Sequence, residues 1–194
     1  MKIYKYTQYS IIILLFVFLS CSSSYTPKPR GYFRISFPEK EYVKFNNQGP
    51  YSFEIPKYSF VQIDSSQFTE KWWINIILPT MKGKIHISYK TVNDNLNKYL
   101  EDSRELAYKH TVKAEAINEE IFVNNKNNVF GVLYEIKGNV ASSYQFYVTD
   151  STKHFLRGAL YFNVYPNKDS LAPVLKFVKE DIINLMETFE WNNK

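Results

Sequence analysis

The segment from Val129 to Val164 constrains this chain most, because it reads as three strands in succession with turn residues between them. VFGVLYEIKG (129–138), SYQFYVT (143–149) and HFLRGALYFNV (154–164) are rich in the β-branched and aromatic residues that suit a half-buried pleated surface. Gly138-Asn139 and the Asp150–Lys153 stretch have turn composition, so the three strands predict an antiparallel meander. In the third, Leu156, Gly158, Leu160, Phe162 and Val164 are expected to face one way. His154, Arg157, Tyr161 and Asn163 make the more polar set.

Strand patterns also precede the meander. YFRISFP (32–38) alternates with a two-residue period until Pro38 stops it. YSFEIP (51–56) and YSFVQI (58–63) read as a hairpin around Pro56-Lys57, and WWINIILP (72–79) as a strand covered on both faces. KIHISYK (84–90) places Ile85, Ile87 and Tyr89 inward and Lys84, His86, Ser88 and Lys90 outward; IFV (121–123) is a further short strand. Two stretches switch to helical spacing. Over 94–110, Leu96, Tyr99, Leu100, Ser103 and Ala107 share a face, with Asn93 or Asp94 as cap. Over 169–189 the stripe is Leu171, Val174, Leu175, Val178, Ile182, Leu185, Met186 and Phe189, with Asp169 or Ser170 as cap and Pro173 in the first turn. The expected fold class is α+β: an antiparallel sheet carrying two amphipathic helices. The element order resembles the Mog1/PsbP-like sandwich.

The amino-terminal stretch addresses location. Lys2 and Lys5 precede a nine-residue apolar run, Ile11–Leu19, which ends beside Ser20 and the lone cysteine, Cys21. The run is too short to span a bilayer, which takes about 20 apolar residues. A basic segment, a short apolar core and a small residue before cysteine resemble a lipobox, with Phe18 where leucine is usual. The expectation is a signal peptide over 1–20, lipidation of Cys21, a Ser/Pro linker over 21–30 and a single domain over 31–194. Removing residues 1–20 leaves 22 basic side chains against 19 acidic, spread along the chain, which gives no case for nucleic-acid binding. With its one thiol lipidated, the domain must be held by its core alone, and 16 Tyr and 15 Phe supply that core.

No catalytic or metal constellation emerges from the spacing. His86, His110 and His154 share no ligand spacing, and no cofactor is implied. Asp150, Ser151 and His154 contain the residue types of a hydrolase triad, but they fall within one tight turn, where a base is seldom held between nucleophile and acid. Hairpin chemistry, with Asp150 and Ser151 accepting turn N–H bonds, accounts for them. Arg34, Tyr144, Tyr147, His154 and Arg157 are the candidate partner contacts, Arg and Tyr being enriched at interface hot spots. A ligand pocket between sheet and helix is the alternative, making the chain a small-ligand-binding periplasmic lipoprotein.

Five blocks carry more than periodicity: PKPRGYFRISFP (27–38), PYSFEIPKY (50–58), LEDSRELAYKHTVKAEAI (100–117), GVLYEIKGNVASSYQFYVTDSTKHFLRGALYFNV (131–164) and DSLAPVLKFVKEDIINLMETFEW (169–191). Together they closely resemble the gliding-motility lipoprotein family GldD of the Bacteroidetes. Members often carry a second cysteine just before PYSFE, where this chain has Gly49. The resemblance implies a periplasm-facing lipoprotein needed for gliding and for the associated type IX secretion system. It implies no enzymatic activity, and it transfers one residue role, lipidation, onto Cys21. Its partners would be other gliding and secretion lipoproteins and the motor-secretion complex. Ser22 rather than Asp after the cysteine, with no acidic run following, points to the outer membrane with the body in the periplasm.

Overall fold

The computed structural model of the chain describes residues 35–46, 48–67 and 69–192. The expectations for the signal segment, the linker, Cys21 and Arg34 lie outside the described residues. Ten strands and two α-helices are formed among those described. They are β1 (Tyr42–Asn46), β2 (Tyr51–Pro56), β3 (Phe60–Ile63), β4 (Ile74–Leu78) and β5 (Gly83–Thr91), then α1 (Leu96–Tyr108) and a 3-10 turn (Lys109–Val112). After these come β6 (Ala114–Asn124), β7 (Val129–Gly138), β8 (Tyr144–Thr149), β9 (His154–Phe162), α2 (Lys168–Glu187) and β10 (Glu190–Trp191). The class is α+β, as the patterning predicts.

Two antiparallel sheets result: a small one ordered β1-β2-β10 and a large one ordered β3-β4-β5-β9-β8-β7-β6. The meander pairs as expected, β7 with β8 and β8 with β9. Strands β2 and β3 differ from the expected hairpin. Strand β2 already has β1 on one side and β10 on the other, so it has no free edge. The turn closed by the Ser59 N–H on the Pro56 carbonyl (2.9 Å) instead carries the chain across to the large sheet, where β3 pairs with β4.

Other differences have local causes. The described part of the 32–38 alternation, Ile35 to Phe37, forms no strand; Phe37 stacks on Phe177 of α2 with centroids 4.4 Å apart. IFV lies near the carboxy-terminal end of the long edge strand β6, whose pattern is masked by Glu115, Glu119 and Glu120, charges of the kind that protect a sheet edge. Helix α2 is capped by Asn167, whose side chain accepts from the Ser170 N–H at 3.1 Å, so Pro173 lies beyond the first turn. At α1 the Asn95 side chain accepts from the Asn93 N–H instead of capping the helix.

Strand alternation divides the core. The inner face of the large sheet presents Ile76, Ile87, Leu133, Phe146, Val148, Leu156 and Leu160 to one apolar cluster, which α2 and β2 complete. Helix α2 contributes Val174, Val178, Ile182, Leu185 and Met186, and β2 contributes Tyr51 and Phe53. Each such side chain stabilises the fold by about 1.5–3 kcal/mol when fully buried. Gly158 is required here: a Cβ would enter the ring of Phe146, its partner on β8. The outer face carries a second, smaller cluster of Ala107 of α1 with Tyr134, Ile136 and Val140.

Candidate functional site

Strand parity separates the candidate partner residues. On β8, Tyr144 points inward with Phe146, while Tyr147 points to the outer face. On β9, His154 shares the inward parity of Leu156, while Arg157 and Tyr161 point outward. The four described candidates therefore split into two pairs on opposite faces, and no single cluster of them forms. His154 belongs with the apolar set of its strand, although its polarity suggested the other face.

The inward pair is committed to packing. The Tyr144 hydroxyl donates to Glu135 Oε1 at 3.1 Å, and burial, with that carboxylate beside it, raises the phenol well above its ordinary pKa. Its ring lines a cavity of about 410 Å³ between α2 and the ends of β6 and β7, with Glu115, Ile136, Lys168, Leu175 and Lys179. The His154 ring stacks on Trp191 (centroids 5.1 Å apart) and its Nδ1 hydrogen-bonds the Tyr89 hydroxyl at 2.7 Å. Burial lowers its pKa. Asp150 is absorbed by its turn: Oδ1 accepts the backbone N–H of Thr152, Lys153 and His154, and Oδ2 accepts the Thr152 hydroxyl. Burial pushes its pKa up, but those donors outweigh it and the net shift is downward. Ser151 has a left-handed backbone (φ 66°), and its N–H donates to Thr149 Oγ1, so it accepts none of the expected turn bonds. Asp150 and His154 thus hold their own partners and do not poise Ser151.

The outward residues form a different arrangement. Cross-strand pairing sets Gln62, Asn75, His86, Ala159, Gln145 and Tyr134 in one row across the large sheet. Ser88, Arg157 and Tyr147 follow in the next row. Arg157 Nη2 donates to Gln145 Oε1 at 2.5 Å, and the Tyr161 hydroxyl lies within electrostatic reach of the guanidinium. His86 is half-buried rather than exposed as its strand position suggested. Its Nδ1 meets Asn75 Oδ1 at 2.9 Å, and Asn75 Nδ2 donates toward Asp64 at 3.4 Å. His110, on the turn after α1, comes within electrostatic reach of Arg157. Burial first, and the Arg157 charge as well, lower the pKa of both imidazoles; Asp64 opposes this at His86. Among the described residues no carboxylate pairs with Arg157. This face is what the residues bring together.

Two features had no place among the expected sites. Asp181, 2% exposed on α2, accepts from Lys40 Nζ (2.6 Å), from the Tyr42 hydroxyl (2.9 Å) and from the Tyr58 hydroxyl. Its signal was present in the sequence as a charge interrupting the apolar stripe beside Ile182. An apolar groove of about 630 Å³ runs along β3 and is lined by Phe45, Val61, Ile63, Trp72, Trp73 and Ile74. Among the described residues no group of three or more His, Cys, Asp or Glu is placed to hold a metal ion, and no helix is long and apolar enough to cross a membrane.

Comparisons with known proteins agree with this architecture. The sequence model of a family described as gliding motility lipoprotein GldD matches residues 22–191. No curated protein matches the chain. The solution structure of cyanobacterial PsbP (CyanoP) from Synechocystis sp. PCC 6803 superposes with a TM-score of 0.52 at 10% identity. That match covers 85% of this chain and 98% of the cyanobacterial one, and it establishes a PsbP-like fold.

Proposed function

Since the chain belongs to the gliding motility lipoprotein GldD family, we propose that it is a non-catalytic envelope lipoprotein serving gliding and the associated type IX secretion system. In this reading residues 1–20 are removed on export, Cys21 takes the lipid, 21–30 form a spacer and the remainder is one body in the periplasm at the outer membrane. The body positions or stabilises partner lipoproteins of the machinery. The family match over 22–191 carries the proposal. The side chains supply support: Asp150 and His154 are tied into packing, whereas Tyr147, Arg157 and Tyr161 are carried on the outer face. Arg and Tyr on one face suit protein contacts.

The test is a clean deletion in the native organism combined with a crosslinked pull-down of the tagged, lipidated chain. Loss of gliding and secretion, a fall in the level of partner lipoproteins, and recovery of ring or motor components are expected. Intact gliding and secretion in the deletion would overturn the proposal. A second reading, small-ligand binding, draws on the cavity between α2 and the sheet, whose Tyr144 and Leu175 walls are rimmed by both lysines and carboxylates. Native mass spectrometry of the full chain checks it: a retained metabolite or lipid displaced by Leu175→Trp supports it, and a ligand-free mass counts against it.

A further inference from the structure

We infer that the outer face of the large sheet holds a receiving site for a small oxyanion, a carboxylate or phosphate group, with Arg157 at its centre and His86, His110 and Lys84 around it. The inference does not depend on which machinery the chain serves.

The first observation is the company Arg157 keeps. Arg157 is half-buried, and a guanidinium partly withdrawn from water is commonly paired with a carboxylate, because desolvating an uncompensated charge is costly. Here its hydrogen-bond partner is neutral, the Gln145 amide oxygen, and the nearby Tyr161 hydroxyl carries no charge either. Burial lowers its pKa, yet a guanidinium keeps its charge. It carries five N–H donors in a rigid fork, and one neutral partner leaves donors to spare.

The second observation is fixation. Gln145 is 2% exposed and lies on β8, paired on both sides by β7 and β9, so the oxygen that holds Arg157 Nη2 cannot wander. Tyr161, on the same strand as Arg157, is 37% exposed and marks the solvent side. A guanidinium held on one side by a fixed acceptor presents its remaining donors pre-oriented, the geometry that takes a carboxylate or phosphate through two parallel hydrogen bonds.

The third is the sign of the surroundings. His86 on β5 and His110 on the turn after α1 both feel Arg157, and Lys84 on β5 also acts on His86. The carboxylate acting on His86 is Asp64, which already accepts from the Ser66 hydroxyl and lies toward Asn75. Register places Lys84 opposite Tyr161 and His86 opposite Ala159, flanking Arg157 on the same face, and His110 feels the Arg157 charge. Strands β5 and β9 and the turn after α1 thus gather cations or latent cations around a guanidinium that forms no salt bridge among the described residues. An oxyanion is the ligand class that relieves this imbalance, and a metal cation is the class it repels.

The fold supplies its own control, because His154 lies on the opposite face of the same sheet. The lipidated full chain in neutral detergent, labelled at histidine, is titrated with inorganic phosphate and separately with acetate at constant ionic strength set by sodium chloride. Saturable displacement of the His86 and His110 ring resonances, with His154 unmoved, is the expected result. Tighter binding of phosphate would identify a tetrahedral ligand, and tighter binding of acetate a planar one. Arg157→Gln should weaken binding about tenfold or more, the usual weight of a charge-assisted hydrogen bond. Arg157→Lys, which keeps the charge and loses the fork, should fall between. If neither anion moves the two rings at concentrations well above millimolar, or all three histidines move alike, the site does not exist. Should Arg157→Gln fail to fold, the wild-type titration decides by itself.

Discussion

The Tyr58 hydroxyl, on the turn that leaves β2, donates to the Asp181 carboxylate in the middle of α2. Lys40 and Tyr42 reach the same carboxylate from the segment that enters β1. One buried group thereby fastens the open end of the β1–β2 hairpin to the helix. Removing Asp181 leaves two phenols without this acceptor and strips the Lys40 ammonium of its nearest carboxylate, leaving it the Phe177 carbonyl and the more distant Glu180. Asp181→Ala should cost about 3 kcal/mol, as for other broken buried pairs, and Tyr58→Phe about 1 kcal/mol. Urea unfolding of the purified chain reads both, and a cost for Asp181→Ala within error of zero would refute the role.

Asp150 gives a pH signature. Its folded-state pKa is depressed, so the ionised form stabilises the fold fully above the ordinary carboxylate value of about 4. That contribution disappears as pH falls through the lower folded-state value. Asp150→Ala should lose about 2 kcal/mol at neutral pH, leaving the backbone donors of the turn without their acceptor. The gap from wild type should close on acidification. A gap that persists at a pH where Asp150 is protonated in the folded chain, as its carboxyl resonance reports, would show that the carboxylate's charge is not what matters.

The three histidines act in the same direction. Burial lowers all three pKa values, so the unfolded chain binds protons first as pH drops below about 6.5. Stability should therefore decline from that pH down to the folded-state values and level off below them. Because His154 stacks on Trp191, tryptophan fluorescence should track its share, and His154→Leu should flatten part of the slope. An unchanged slope in that variant would assign the effect to other groups.

Gly158 can be examined by a paired substitution. Gly158→Ala drives a methyl into the Phe146 ring and should destabilise by about 2 kcal/mol, in the range of overpacked cores. Adding Phe146→Leu should recover part of that loss, giving a non-additive cycle. Full additivity would mean that the backbone, not the ring, absorbs the strain.

Much of this architecture was readable, and the failures have physical causes. Strands β5, β7, β8 and β9 alternate because each lies between neighbours with distinct environments on its two faces. Strand β1 has mixed exposure on an edge, and β10 is only two residues long, so neither carries a period. The separation of β2 from β3 depends on which strands flank β2, a non-local fact that a turn at Pro56 cannot encode. At the candidate site, parity divides Tyr144 from Tyr147 and aligns His86 with Ser88, so those placements were available. Polarity suggested the wrong side for His154, whose ring finds Trp191 and Tyr89 inside the fold. The approach of His110 to Arg157 comes from the path of α1 across the sheet, and no local pattern announces it.

The Asp181 fastening also has a mechanical meaning. Tension entering the domain through the chain before Ile35 arrives at Lys40 and Tyr42, beside the Glu41–Lys57 pair that closes the mouth of the hairpin. A load there pulls β1 from β2 starting at the Tyr42–Pro56 rung, one rung at a time, which is the weak direction for a hairpin. Three side chains gripping one carboxylate at that mouth turn unzipping into a concerted rupture, because Tyr58 holds the other lip to the same point on α2. Pulled from its amino-terminal side, the domain should yield at a distinctly lower force when Asp181 is replaced by Asn, and an optical trap can measure that difference.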